Sequence, residues 1–120
     1  EDFGVFSGSA NYILPALCLG AVGGTLAVAN IYPEATRALF DVFHKGDMKA
    51  ARDLQYRLLL ASDALTGRFG VPGLKVAMES VGMYGGPVRR PLLPLNDEKR
   101  GQLLDTLKKA DLESYETWRK

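Results

Sequence analysis

At 120 residues, 47% hydrophobic and 24% charged, the chain is one domain's worth of sequence with apolar content enough for a core, which excludes bulk disorder. Its formal net charge is +1 and its 15 basic residues are scattered, so its electrostatics point to neither nucleic acid nor an anionic membrane. The single cysteine, Cys18, excludes an intrachain disulfide, fits a reducing compartment and reads as a packing residue between Leu17 and Leu19.

Charge is distributed unevenly. Residues 3–33 carry no charged side chain, and this stretch predicts two short buried strands, Gly4–Ser7 and Val22–Val28, joined by a helix over Tyr12–Leu19. Each strand runs into small polar residues, Gly8-Ser9-Ala10-Asn11 after the first and Ala29-Asn30 after the second. Glycine has no Cβ to block an approaching ligand, and parallel strands of βαβ units bind ligands at their C-terminal ends. The predicted site therefore lies at Gly8-Ser9 and near the C-terminal half of the second strand. The apolar run Tyr12–Ala29 is also 18 residues long, the lower bound for a membrane span. Pro15, Gly20, Gly23-Gly24 and the absence of flanking Lys or Arg argue against that reading. Glu1-Asp2 does not fit the positively charged start of a secretory signal.

Four helices are predicted after Asn30. Pro33 followed by Glu34 suits a helix start, and Gly46 a stop, with Ala35, Leu39, Val42 and Phe43 on one face. His44 falls in the last turn of that helix, where a partial positive charge suits the dipole better than a metal or catalytic role. Asp47 caps a longer helix over Met48–Thr66, ended by Gly67. Ala51, Leu54, Leu58, Ala61 and Leu65 form its stripe, and Arg52, Gln55, Arg57 and Asp63 read as its solvated face. A connector, Phe69–Gly73, precedes a short helix over Gly73–Val81 stopped by Gly82. Three prolines and two glycines keep Met83–Leu95 from being helical, and Arg89 and Arg90 within it read as structural. Asn96 caps the last helix, with Leu103, Leu104 and Leu107 buried; the tail after Ala110 carries Leu112, Tyr115 and Trp118.

Two strands are too few to cover both faces and both edges of such apolar segments. The chain thus reads as a piece of a larger α/β sheet or barrel, or as a module that pairs with another chain. The run Gly20–Gly24 precedes a strand instead of opening a helix and has no P-loop lysine, so it is not read as a phosphate cradle.

Gly8-Ser9-Ala10, Leu19-Gly-Ala-Val-Gly-Gly24 and Ala29-Asn30 resemble strands seven and eight of the dihydrodipicolinate synthase/N-acetylneuraminate lyase family of Schiff-base aldolases. The runs Phe69-Gly-Val-Pro-Gly-Leu-Lys75, Tyr84-Gly-Gly-Pro87 and Arg89-Arg-Pro-Leu92 are most similar to its 4-hydroxy-2-oxoglutarate aldolase branch. The resemblance implies an α/β fold: the last two βα units of a (β/α)8 TIM barrel in residues 1–46, then a helical extension in residues 47–120. It implies cleavage of a 4-hydroxy-2-oxo acid to pyruvate and an aldehyde such as glyoxylate. Dihydrodipicolinate synthase and 2-keto-3-deoxy sugar-acid aldolase chemistry are the alternatives within the family.

In that family a lysine on strand six forms an imine with the keto carbon, and a tyrosine from an earlier strand shuttles protons. By the resemblance both belong to a missing N-terminal barrel portion, and the segment alone is inactive. Lys45, Lys49, Lys75, Lys99, Lys108, Lys109 and Lys120 all fall on or beside predicted helices, so none is assigned the nucleophile's role. Gly8 matches a family glycine that contacts substrate. Thr25 matches a position whose backbone carbonyl faces the Schiff-base site, and Ser9 is included by adjacency. The resemblance implies no cofactor and no metal, and as partners a 2-oxo acid, the rest of the barrel and further copies in a dimer or tetramer. Neither nucleic acid nor membrane is expected, and the location is cytoplasmic or, alternatively, the mitochondrial matrix. A reading from another class is a non-catalytic helical interaction module.

Overall fold

The computed structural model describes residues 3–117, so Glu1, Asp2, Trp118 and Lys120 lie outside the described residues. Two short strands, β1 (Phe6–Ser7) and β2 (Gly23–Gly24), pair in parallel with Phe6 opposite Gly23 and Ser7 opposite Gly24. Backbone bonds extend the pairing at both ends, from Val22 N–H to Val5 O and from Thr25 N–H to Ser7 O, each 2.9 Å. A 3₁₀ turn, Ala10–Tyr12, and helix α1 (Ile13–Cys18) make the crossover between them. Helix α1 buries Ile13, Leu14 and Leu17 and turns Cys18 outward. That corrects the packing role expected of the cysteine: Cys18 is the last residue of α1, at the rim of its buried face, and the chain turns away after it at Leu19-Gly20.

The second strand is shorter than Val22–Val28. After Thr25 and Leu26 the chain coils into a 3₁₀ turn, Ala27–Asn30, with Ala29 N–H bonded to Leu26 O at 3.0 Å. Leu26 and Val28 are still buried. Apolarity reports burial and not extension, and two small alanines let the backbone turn while keeping both large side chains in one core.

Helix α2 (Pro33–His44) starts at its proline and ends before Gly46, whose φ is +78°. Asp47 caps helix α3 (Met48–Ser62) by accepting from Ala50 N–H at 3.0 Å, and the whole predicted stripe from Ala51 to Leu65 is buried. Gly67 does not end this helical run. A π-helical turn, Asp63–Arg68, carries it on to helix α4 (Gly70–Ser80), which begins three residues before the predicted Gly73. A glycine inside a helix costs about 1 kcal/mol relative to alanine. Here Ala64 and Leu65, both fully buried, hold the turn against that cost. Residues 83–95 contain no helix, and Arg89 and Arg90 within them are exposed. Asn96 then caps helix α5 (Asp97–Ala110) by accepting from Lys99 N–H at 3.0 Å.

One hydrophobic cluster runs from Ala10 to Leu112 and joins the crossover to α2, α3, α4 and α5. The tail contributes as well. Leu112 is buried, residues Glu113–Tyr115 form a 3₁₀ turn, and the Glu116 carboxylate reaches the N-terminus of α2. By contrast Phe3, Val5, Phe6 and Val22, on and beside the paired strands, are all more than half exposed. The sheet is thus bare where the rest of the chain is packed.

Candidate active site

The parallel pairing sets Gly8, Ser9 and Thr25 at the same C-terminal end of the two strands. Ser7 is the hub: its carbonyl accepts Thr25 N–H at 2.9 Å and its Oγ donates to Ser9 O at 3.0 Å. The same Oγ accepts Ser9 N–H at 3.4 Å. Gly8 lies between these serines, exposed, and a Cβ built on it meets no atom within 4 Å. Open space therefore stands over the Gly8 backbone at the strand ends.

Ser9 has extended backbone and caps the following turn, its Oγ accepting Asn11 N–H at 3.2 Å. Its hydroxyl thus shapes the loop. Thr25 has an exposed side chain and joins the site through its backbone.

Gln55 is the residue that the sequence reading placed wrongly. It is buried, not solvated, and its side chain reaches from α3 across to the crossover. Its Oε1 accepts Leu14 N–H at 2.8 Å, and its Nε2 donates to Ala10 O at 2.8 Å and Asn11 O at 3.3 Å. The signal was in the periodicity: Gln55 is four residues after Ala51 and three before Leu58, which puts it on the buried face. Arg57 is also engaged, donating to the carbonyl and carboxylate of Asp111 at 2.8 and 2.7 Å.

None of the described lysines lies on a strand. Lys45 follows α2, Lys49 is on α3, Lys75 on α4, and Lys99, Lys108 and Lys109 are on α5. Lys75 Nζ donates to Gly85 O at 2.6 Å, tying α4 to the proline-rich segment. His44 Nδ1 pairs with Phe40 O at 2.7 Å and its ring packs edge-on to Phe43. Among the described residues no three His, Cys, Asp or Glu side chains gather in a way that could hold a metal ion, and no helix is long and apolar enough to cross a membrane.

Grooves also lie elsewhere, one of them under α4 and one beside the strands. One of about 360 Å³ is lined by Lys75, Glu79, Tyr84 and Arg100; Arg100 is 3.5 Å from Glu79 there. Another of about 460 Å³ runs beside the strands, between Phe6, Gly24 and Phe40. Neither is lined by Gly8, Ser9 or Thr25.

The sequence model of the dihydrodipicolinate synthetase family matches residues 1–110. A 4-hydroxy-tetrahydrodipicolinate synthase of Methanothrix thermoacetophila is 38% identical over 109 residues, 91% of this chain and 37% of that protein. The protein of the same name from an Exiguobacterium species is 35% identical, over 89% of this chain and 36% of that one. Among solved structures, a dihydrodipicolinate synthase of Bacillus anthracis superposes with a TM-score of 0.85 at 31% identity, over 90% of this chain and 37% of that one. An N-acetylneuraminate lyase of Proteus mirabilis gives 0.79 at 28%, over 88% and 36%. The chain spans less than two-fifths of the length of these curated relatives. The relatives carry the synthase name, so the similarity to the 4-hydroxy-2-oxoglutarate aldolase branch rests on the sequence runs alone.

Proposed function

The chain belongs to the dihydrodipicolinate synthetase family, and on that premise we propose that it forms one wall of the 2-oxo-acid site of a pyruvate-dependent Schiff-base lyase or synthase. In this reading residues 1–46 are the last two βα units of a TIM barrel and residues 47–120 its helical extension. The remaining strands cover the bare face at Phe3, Val5, Phe6 and Val22. The observation that carries the proposal is the parallel pairing that sets Gly8, Ser9 and Thr25 at one end of the strands, with open space beside Gly8.

The chemistry follows from what an imine does. A lysine amine attacks the keto carbon of a 2-oxo acid and the carbonyl oxygen leaves as water. In cleavage the protonated imine accepts the electron pair of the bond between its α-carbon and the carbinol carbon, giving an enamine and an aldehyde. In condensation it accepts the pair of an α-C–H bond as the proton leaves, and the enamine donates that pair to the aldehyde carbon. That lysine belongs to strand six of the complete barrel. This segment contributes the close approach at Gly8 and the backbone at Thr25.

Two reactions share the site. Cleavage of a 4-hydroxy-2-oxo acid to pyruvate and an aldehyde such as glyoxylate is supported by Phe69–Lys75, Tyr84–Pro87 and Arg89–Leu92. Condensation of pyruvate with an aldehyde is supported by the names of the relatives. The test is to incubate the full-length polypeptide with pyruvate and borohydride, then assay both reactions. Covalent reduction of a pyruvyl adduct is expected, and its absence would remove the reading.

A further inference from the structure

We infer that Gln55 is a positioning residue for the 2-oxo-acid site, acting through the Gly8–Asn11 loop. The inference rests on the function proposed above. Gln55 stands on α3, 41 residues from Leu14 and 45 from Ala10, yet it makes its hydrogen bonds to their backbones. Only 8% of it is exposed. Its Oε1 accepts from one N–H and its Nε2 donates toward two carbonyls, which fixes the orientation of the amide.

Each bond it makes answers a local need. Leu14 N–H is in the first turn of α1, where no intrahelical acceptor exists, and the N-cap residue Tyr12 makes no side-chain bond. Gln55 therefore caps α1 from a distance. Its two donors fix the carbonyls of Ala10 and Asn11, which lie immediately beyond Gly8-Ser9. On the near side the loop is held by Ser7 and Ser9, through bonds spanning two residues. Gly8 itself is exposed and conformationally free, so the backbone over the open site takes its position from these two anchors. The helical part of the chain thus helps build the site at the strand ends.

The test uses the full-length polypeptide, pyruvate and borohydride, with the yield of reduced adduct measured against pyruvate concentration. Gln55→Met keeps the volume and removes all three bonds. It is expected to raise the half-saturating pyruvate concentration about tenfold with the maximal yield unchanged. Gln55→Glu keeps the acceptor for Leu14 but sets a carboxylate against two carbonyls, and an intermediate shift is expected. Exchange of the Leu14 amide should speed up in the first variant and much less in the second. Should Gln55→Met fail to fold, the volume-conserving Gln55→Glu decides alone, by its smaller, intermediate rise in half-saturation. Variants that melt earlier but saturate as the parent does would make Gln55 merely structural and overturn the inference. A parent protein that is not trapped at all would bring down the proposed function, and this inference with it.

Discussion

The Glu116 carboxylate accepts a hydrogen bond from Ala35 N–H at 3.0 Å, across 81 residues of chain. A second contact, from Glu34 N–H at 3.4 Å, places the same carboxylate at the N-terminus of α2. There the first-turn N–H groups, which have no acceptor within the helix, and the positive end of the helix dipole both favour a negative charge. Glu34 returns the contact, accepting from both the N–H and the hydroxyl of Thr117. The tail is therefore a cap supplied from the far end of the chain, for a helix whose own N-cap, Tyr32, makes no side-chain cap bond.

Replacing Glu116 by alanine should lower stability by about 1–2 kcal/mol, the usual worth of an N-cap. Glu116→Gln, which keeps an acceptor but not the charge, should lose less. Urea midpoints of the full-length variants measure both. Equal midpoints for parent and Glu116→Ala would mean that the tail does not hold α2.

Gly8 and Gly24 should separate function from fold. A side chain at Gly8 meets nothing within 4 Å, so Gly8→Val should leave the melting temperature nearly unchanged while abolishing pyruvate capture. At Gly24 a Cβ would come within 3.0 Å of Ser7 O and 2.9 Å of Leu26 Cδ2. Gly24→Ala should thus cost about 1–3 kcal/mol of stability. Normal capture in Gly8→Val would remove that position from the site.

Ser9 makes a smaller, local prediction. Ser9→Ala loses the cap on Asn11 N–H and should cost about 0.5–1 kcal/mol, while Ser9→Asp, another capping residue, should restore it. Thermal melts of the two variants decide. A neutral alanine substitution would mean that the cap contributes nothing.

Much of this was legible in the sequence, where local chemistry leaves one choice. Pro33, Asp47 and Asn96 announce helix starts because each answers a local backbone need. The stripe from Ala51 to Leu65 is read correctly because 3.6-residue periodicity is a property of the helix alone. The location of Gly8, Ser9 and Thr25 at one end follows from two parallel strands, however short. What escaped is what depends on distant partners. Gln55 was read as solvated because it is polar, and nothing in the local sequence marks Glu116 as a cap, since the backbone groups each satisfies lie far away in the chain. The ending of the second strand at Gly24 escaped for the opposite reason, since Leu26 and Val28 are equally apolar in a strand or a turn.

The bare strands predict self-association of the isolated segment. Phe3 is 83% exposed, Phe6 64% and Val22 62%, all around the edges of a two-stranded sheet. Residues 1–120 expressed alone should sediment as dimers or larger species. A monodisperse monomer with a cooperative melt would favour an independent helical module over part of a barrel.

The last prediction concerns where covalent chemistry occurs. The six described lysines stand on or directly after helices, and Lys45, Lys49, Lys99, Lys108 and Lys109 are exposed. None of them stands at a strand end, the place the proposed function gives the imine-forming lysine. Lys75 is half-buried, and its Nζ is held by the Gly85 carbonyl on the proline-rich segment, away from the strand ends. Pyruvate and borohydride should therefore label the full-length polypeptide at one lysine outside residues 1–120, and the isolated segment only at background level. Lys75→Met should weaken the hold of α4 on the proline-rich segment, at about 1–3 kcal/mol, without abolishing labelling. Peptide mapping that placed the reduced pyruvyl group on Lys75, or on any lysine of this segment, would overturn the assignment of the nucleophile to another strand.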